Sequence, residues 1–233
     1  MLTYCISDIH GCYTEFMALL KKINFSENDT LFVLGDIIDR GDSSVECLEY
    51  IRTRPNITAL MGNHEMMMLD YFSRAKRSKK HDWLVNGGDK TLQQIEQSIA
   101  DGAPSWNETL KWVCGLPLYV EVTINGQGFF LSHAGFNAMK PLGKQKPHDY
   151  IWSREEFIML PALKDRHCIF GYTPTICLHD SDDCRIWVDW AHNDKTCIDG
   201  GCVYGGVLTA FRLDDGKAFY VGNEKFCSTT TAA

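Results

Sequence analysis

Leu31-Phe32-Val33-Leu34-Gly35-Asp36-Ile37-Ile38-Asp39-Arg40-Gly41 runs from four apolar residues straight into a glycine, two aspartates and an arginine. An apolar run of that length, closed by glycine, reads as a buried strand that delivers polar side chains at its end. The end offers one carboxylate to bridge metals, another to orient a partner, and a guanidinium for phosphate.

Working outward, the same arrangement recurs. Apolar runs at Leu2 to Ile6, Ile57 to Met61, Phe129 to Leu131 and Cys168 to Phe170 also read as buried strands, and each ends in a small cluster of ligand-type or phosphate-binding residues. Asp8-Ile9-His10-Gly11 follows the first; continued extension places its carboxylate and imidazole on one side. Gly62-Asn63-His64-Glu65 stands at the mouth of a helix, with an amide oxygen for metal, an imidazole for proton transfer and a carboxylate near the helix N-terminus. Ser132-His133-Ala134-Gly135 sets a single imidazole among small residues. Taken singly, an imidazole at a strand end is more often a packed residue than a ligand. A chain selected for stability alone has no reason to collect the whole series at strand ends, where α/β sheets place ligands.

Between the strands, helical patterns cover Tyr13 to Lys22, Ser43 to Arg52 with Asp42 or Ser43 as N-cap, Glu65 to Ala75, and Thr91 to Ile99. The first half is therefore β-α-β-α-β-α. Strands dominate from Leu118 onward, with hairpins about Asn125-Gly126 and Leu213-Asp214-Asp215-Gly216. This pattern predicts an α/β fold, a β-sandwich of two packed sheets with helices outside, in a single domain over 1–233. Arg74 to His81, Met139 to His148 and His179 to Lys195 read as long loops.

With 233 residues, 45% of them apolar and 12% aromatic, the composition is that of an ordinary globular protein. The formal net charge of −7 argues against nucleic acid as a partner. The basic cluster from Arg74 to Lys80 reads as a solvated loop. Ten cysteines are scattered with no CxxC pair, the usage of reduced, mostly buried thiols. No apolar run is long enough to cross a membrane, and the N-terminus lacks the pattern of a signal peptide, so a cytoplasmic location is expected.

The motifs DIHG, GDIIDRG, GNHE and SHAG, in this order, closely resemble the signature set of the phosphoprotein phosphatase family of calcineurin-like metallophosphoesterases, nearest the small bacterial and bacteriophage lambda-type serine/threonine protein phosphatases. Further matches are Trp83 to Gly88, Ile151 to Glu155, and Ile198-Asp199-Gly200-Gly201 leading to Tyr204-Gly205-Gly206, so the resemblance covers nearly the whole chain. It implies two divalent metal ions and hydrolysis of phosphomonoesters without a covalent intermediate. Asp8 and His10 would then bind the first metal, Asp36 would bridge, and Asn63 and His133 would bind the second. Arg40 and Arg154 would grip the substrate phosphate, and His64, oriented by Asp39, would protonate the leaving oxygen. This ligand mixture suits manganese, iron or zinc. Two such cations about 4 Å apart activate water and stabilise in-line displacement at phosphorus. The implied substrate is a phosphorylated protein or a small phosphoester; dinucleoside tetraphosphates are the alternative, because related bacterial enzymes share the metal motifs.

One position departs from the family. The expected GHTP segment is Gly171-Tyr172-Thr173-Pro174 here, so a tyrosine stands where the second metal would take a histidine. Three readings are open: Tyr172 binds as phenolate, which favours a ferric ion as in the purple acid phosphatases; His179, His192 or water replaces the missing ligand; or the second site is weakened, leaving a slow enzyme or a phosphate-binding module with an aromatic ring over its mouth. Met66 to Met68, Trp187 and Trp190 read as packing residues.

Overall fold

The computed structural model describes residues 1–73, 81–102 and 106–222. The basic cluster from Arg74 to Lys80 falls outside these residues. Among the described residues, ten strands form two mixed five-stranded sheets. The first holds β1 (Thr3–Ile6), β2 (Thr30–Val33), β3 (Ile57–Ala59), β9 (Val207–Arg212) and β10 (Ala218–Gly222) in the order β10-β9-β1-β2-β3. The second holds β4 (Tyr119–Ile124), β5 (Gln127–Ser132), β6 (His167–Phe170), β7 (Trp187–Val188) and β8 (Lys195–Cys197) in the order β4-β5-β6-β8-β7. β1, β2 and β3 pair in parallel, as do β5, β6 and β8, while β9, β10, β4 and β7 pair antiparallel with their neighbours.

The period-two alternation of the strands separates two cores. Cys5, Phe32, Phe129, Leu131, Ile169 and Phe211 point inward and pack between the sheets. Tyr4, Ile6, Leu31, Val33 and Ile57, one residue out of step, face the helical layer. There α1 (Tyr13–Lys22) buries Phe16, Leu19 and Leu20, and α2 (Ser44–Arg52) buries Cys47, Leu48 and Ile51, at the spacing one helix face requires. The expected two-sheet sandwich with flanking helices is what forms.

Local differences have local causes. The third helix, α3, spans Asn63–Phe72. It begins two residues earlier than predicted because Glu65 reaches back to the N–H of Gly62, 2.9 Å away, and fixes the first turn. The Asn125-Gly126 turn has φ of 50° and 83°, both left-handed, which is the hairpin geometry that this pair favours. A helix at Asn107–Cys114 and two five-residue helices at Pro147–Ile151 and Glu155–Met159 were not legible, the latter two being too short for periodicity to register. The His179 to Lys195 loop contains β7 and ends in β8. Its buried Lys195 is paired with Asp189 and Asp194, each at 2.7 Å. Trp187 packs as expected, but Trp190 does not: it is 88% exposed. Met67 and Met68 are buried core residues. Among the described residues, none of the nine cysteines forms a disulfide.

Candidate metal centre

The parallel strands of both sheets end at one cavity of about 460 Å³. Asp8, His10, Asp36, Arg40, Asn63, His64, Arg154 and Tyr172 line it. His133 and Asp39 lie directly behind, fully buried. All ten residues singled out in the sequence are thus brought together.

The backbone bends sharply to achieve this. Among the described residues nine non-glycines have positive φ, and six of them are Asp8, His10, Asp36, Asp39, Arg40 and Tyr172. Left-handed backbone costs L-residues about 1 kcal/mol or more each, so the strain is concentrated at the cavity. Neighbouring loops hold it in place. His10 N–H donates to Asp36 O and Gly11 N–H to Ile37 O, both at 2.9 Å. Glu65 accepts from the N–H groups of Asp36 and Ile37 at 2.8 Å as well as from Gly62, and so clamps the β2 loop to α3. Gly62 has no substitute there, because a Cβ would stand 2.3 Å from Asp36 Oδ1.

Hydrogen bonds also assign the imidazoles. His10 Nδ1 donates to Ile38 O and His133 Nδ1 to Leu34 O, both at 2.8 Å, which leaves each Nε2 as a lone pair aimed inward. His10 Nε2 is 3.4 Å from Asp36 Oδ2, and His133 Nε2 is 3.4 Å from Asp36 Oδ1. Asn63 Oδ1 stands 2.9 Å from His133 Nε2. With the amide oxygen inward, Asn63 Oδ1 faces only acceptors, and only a rotated amide would satisfy them by hydrogen bonds. Converging lone pairs with no hydrogen between them are a donor set that a cation satisfies. Arg40 supports the same conclusion by placing Nη1 2.6 Å from His10 Nε2, a positive group against a ligand lone pair. Two groups of ligand-type atoms, His10-Asp36-His64 and Asp8-Asp36-His133, each fit within 4.8 Å, and Asp36 is common to both, as a bridge must be; His64, the one member oriented by Asp39, stands beside the ligands and not among them. The residues therefore fit a pair of metal ions of the N/O-preferring kind. Burial, followed by the charges of Asp8 and Glu65, pushes the Asp36 carboxyl upward, a cost that a bound cation offsets.

Behind this set lies a proton-handling pair. His64 Nδ1 donates to Asp39 Oδ2 at 2.6 Å, and Asp39 also accepts from Trp83 Nε1 at 2.8 Å and Thr91 Oγ1 at 2.7 Å. Burial pushes Asp39 up to about 7 and His64 below its ordinary value. The remaining imidazole nitrogen, Nε2, lies 3.9 Å from Asp36 Oδ2 on the cavity side.

The Tyr172 corner is built differently. Its N–H donates to Asp8 Oδ2 at 3.0 Å, and Ser7 Oγ donates to the same oxygen. The ring sits 5.3 Å from the His133 ring and 6.1 Å from the Trp152 ring, and the exposed Arg154 lies over it at 4.5 Å. Burial raises the phenol pKa and Arg154 opposes this, with a net upward shift. The imidazoles expected to compensate are elsewhere: His179 faces Arg185 O at 3.3 Å and His192 faces Asp189 at 3.0 Å. Neither lines the cavity. Each is held by a partner in its own loop, away from the Tyr172 corner.

Three contributors went unassigned in the sequence. Asp199 is buried at the cavity wall, and burial followed by the Asp8 charge raises its pKa. The strand-end signal was present, since Asp199 follows the run ending in Ile198. Tyr204 lies 5.3 Å from the Arg40 guanidinium and is 60% exposed at the rim. Glu65, read only as a carboxylate near a helix N-terminus, is the clamp described above.

Comparison with known proteins agrees with this geometry. A family model described as calcineurin-like phosphoesterase matches residues 1–200. Serine/threonine-protein phosphatase 1 of Salmonella typhimurium is 34% identical over 216 residues, covering 90% of this chain and 91% of that protein. The symmetrical bis(5'-nucleosyl)-tetraphosphatase of Buchnera aphidicola is 40% identical over 275 residues, covering 96% and 99%. In fold, the chain is similar to a metallophosphoesterase from Sphaerobacter thermophilus, with a TM-score of 0.60 at 18% identity over 95% of this chain and 87% of that one. It is also similar to a protein serine/threonine phosphatase from Saccharomyces cerevisiae, with a TM-score of 0.55 at 14% identity over 94% and 78%.

Proposed function

Because the chain belongs to the calcineurin-like phosphoesterase family and is a metallophosphoesterase, we propose that it removes phosphate from phosphoserine and phosphothreonine in proteins, with manganese as the preferred metal and iron or zinc as alternatives. The observation that carries this reading is the placement of Asp36 in both ligand groups with the His64–Asp39 pair beside it. In this reading the whole chain is one domain working in the cytoplasm, and its partner is the phosphorylated substrate.

Asp8, His10, Asp36, Asn63 and His133 would hold the two cations, which when bound supply activated water and neutralise phosphate charge. The chain's own side chains account for the rest. Arg40 and Arg154, both in the cavity lining, present guanidinium forks to the phosphate oxygens; Arg40 leaves His10 to do so. When the His64–Asp39 pair carries a second proton, His64 Nε2 hands it to the departing serine or threonine oxygen, while Asp39 holds the ring in orientation through Nδ1. Tyr172 acts as an aromatic wall beside the second cation and not as a ligand, because its ring is packed between His133, Trp152 and Arg154. Asn63 and His133 would then be the protein ligands on that side, with the remaining position left to solvent.

The test compares a phosphothreonine peptide, diadenosine tetraphosphate and an aryl phosphate with the manganese-loaded protein. The reading expects kcat/KM to be highest on the phosphopeptide. A higher value on diadenosine tetraphosphate would transfer the assignment to the activity named for the Buchnera relative. Binding of phosphopeptide without turnover would make the chain a phosphate-recognition module.

A further inference from the structure

A second set of ligand-type side chains lies next to the cavity and takes no part in the catalytic reading. Cys12 follows His10-Gly11 and caps α1, Glu15 stands in the first turn of that helix, and Cys202 opens the single turn Cys202–Tyr204 that ends at the cavity rim. Their two sulfurs and one carboxylate oxygen all lie within 4.8 Å of one another. Cys12 and Cys202 are 8% and 1% exposed, and their thiols are hydrogen-bonded to each other. We propose that Cys12, Glu15 and Cys202 form a separate binding site for a thiophilic divalent cation of the zinc and cadmium class, distinct from the catalytic pair.

Four features support the assignment. The three-residue spacing of Cys12 and Glu15 sets both on one side of the start of α1, while Cys202 arrives from a segment remote in sequence, so the grouping is a product of the fold. Two buried thiols alone would be ordinary packing, but a carboxylate among them receives only the weak S–H donor from sulfur and completes, with the two sulfurs, a three-ligand set for a shared cation. Two thiolates and a carboxylate around a divalent ion leave one net negative charge, which the positive end of the α1 dipole favours. Finally, Cys202 itself lines the cavity, which gives an ion a route in and leaves a fourth position for water. The sulfur-rich set selects softer ions than the imidazole, carboxylate and amide set of the catalytic centre. An ion held there ties the segment of His10 to the segment of Asp199 and Tyr204.

The discriminating measurement is a cadmium titration of the full, reduced, chelator-stripped chain in excess manganese, followed by the ultraviolet thiolate-to-cadmium charge-transfer band. No catalytic ligand is a cysteine, so the band reports on thiolate sites alone. The proposal expects saturation at one cadmium per chain, no change in Cys177→Ser/Cys184→Ser, and loss of the band in Cys12→Ser and in Cys202→Ser. Glu15→Gln, at a half-buried position, should keep the band but weaken cadmium affinity by about 10-fold or more. Absence of the band in the wild-type chain would overturn the proposal, as would its survival in either serine variant or an unchanged affinity in Glu15→Gln. Should a serine variant not fold, the wild-type titration and the Glu15→Gln affinity still decide.

Discussion

The two sides of the metal centre are supported unequally. On the side of the first sheet, His10, Asp36, Asp39 and His64 are each fixed by another buried group: Ile38 O, Glu65 through the backbone of the Asp36 loop, Trp83 with Thr91, and Asp39 in turn. On the side of the second sheet His133 is anchored through Leu34 O and the carboxylate of Asp199 by the N–H of Gly201, but the residues at the rim have no such support. These are the half-buried Tyr172 and Trp152 and the exposed Arg154. A preorganised ligand set needs no rearrangement when charge develops, whereas a rim of stacked rings and one long cation can adapt. The difference separates the part of the site that does chemistry from the part that tolerates change.

Asp36 is the one residue that both sides share, so Asp36→Asn should produce the largest effect. Loss of the bridging carboxylate is expected to lower manganese-dependent hydrolysis of an aryl phosphate by about 10³-fold or more, the scale of losing a Lewis-acid centre. Metal analysis should show fewer ions per chain. Full activity in this variant would rule out a shared bridge and make the two sides independent sites.

The next effect tests the first-sheet side alone. His64→Asn should cost roughly 10²- to 10⁴-fold in kcat, the range for a positioned general acid, and Asp39→Asn about 10²-fold. The pH dependence has a sign. Burial raises the Asp39 carboxyl to about 7, so the His64–Asp39 pair keeps a proton below that pH and loses it above. Wild-type kcat/KM should therefore fall as pH rises through about 7, and Asp39→Asn should lose that limb. A variant that kept both the rate and the alkaline decline would show that the leaving-group proton comes from elsewhere.

How well the sequence could be read follows the same division. On the first-sheet side, each ligand sits at the end of a strand with clear apolar patterning, so motif and geometry coincide: Asp8 after β1, Asp36 after β2, Asn63 after β3. The groups that hold them were harder to see. Trp83 and Thr91 reach Asp39 from 44 and 52 residues away along the chain, and nothing local marks such a partner. On the other side, the departure at Tyr172 was legible but its surroundings were not, because Trp152 and Arg154 come from helices of five residues or their flanks. Asp199 stood in a motif that had already been noticed, and only the cavity gave it a place. Cys12 and Cys202 show the same limit, since their proximity depends on two loops 190 residues apart.

Glu65 allows the clamp to be tested apart from the chemistry. It is fully buried and accepts three backbone N–H groups from the loops that carry Asp36 and Asn63. In Glu65→Gln one acceptor becomes an NH₂ group facing N–H donors, which should cost about 1–3 kcal/mol of stability, read by urea denaturation. Metal affinity should fall with it, because the Asp36 loop loses its clamp. Unchanged stability would mean that the first-sheet side is held by strand geometry alone and is no better braced than the other.

The smallest effect addresses the weaker side directly. If Tyr172 is a wall, Tyr172→Phe should leave metals per chain unchanged, since the phenol oxygen is no ligand, and should alter only the packing with Arg154 and Trp152. Tyr172→His supplies an imidazole at a backbone position already in the left-handed region, with φ of 68°, beside His133. It should tighten the second metal by about 10-fold, measured by competition with a chelator, and raise turnover at limiting manganese. Loss of a metal in Tyr172→Phe, together with weaker binding in Tyr172→His, would make the tyrosine a working ligand. The two sides of the centre would then differ in the chemistry of their ligands and not in how firmly they are held.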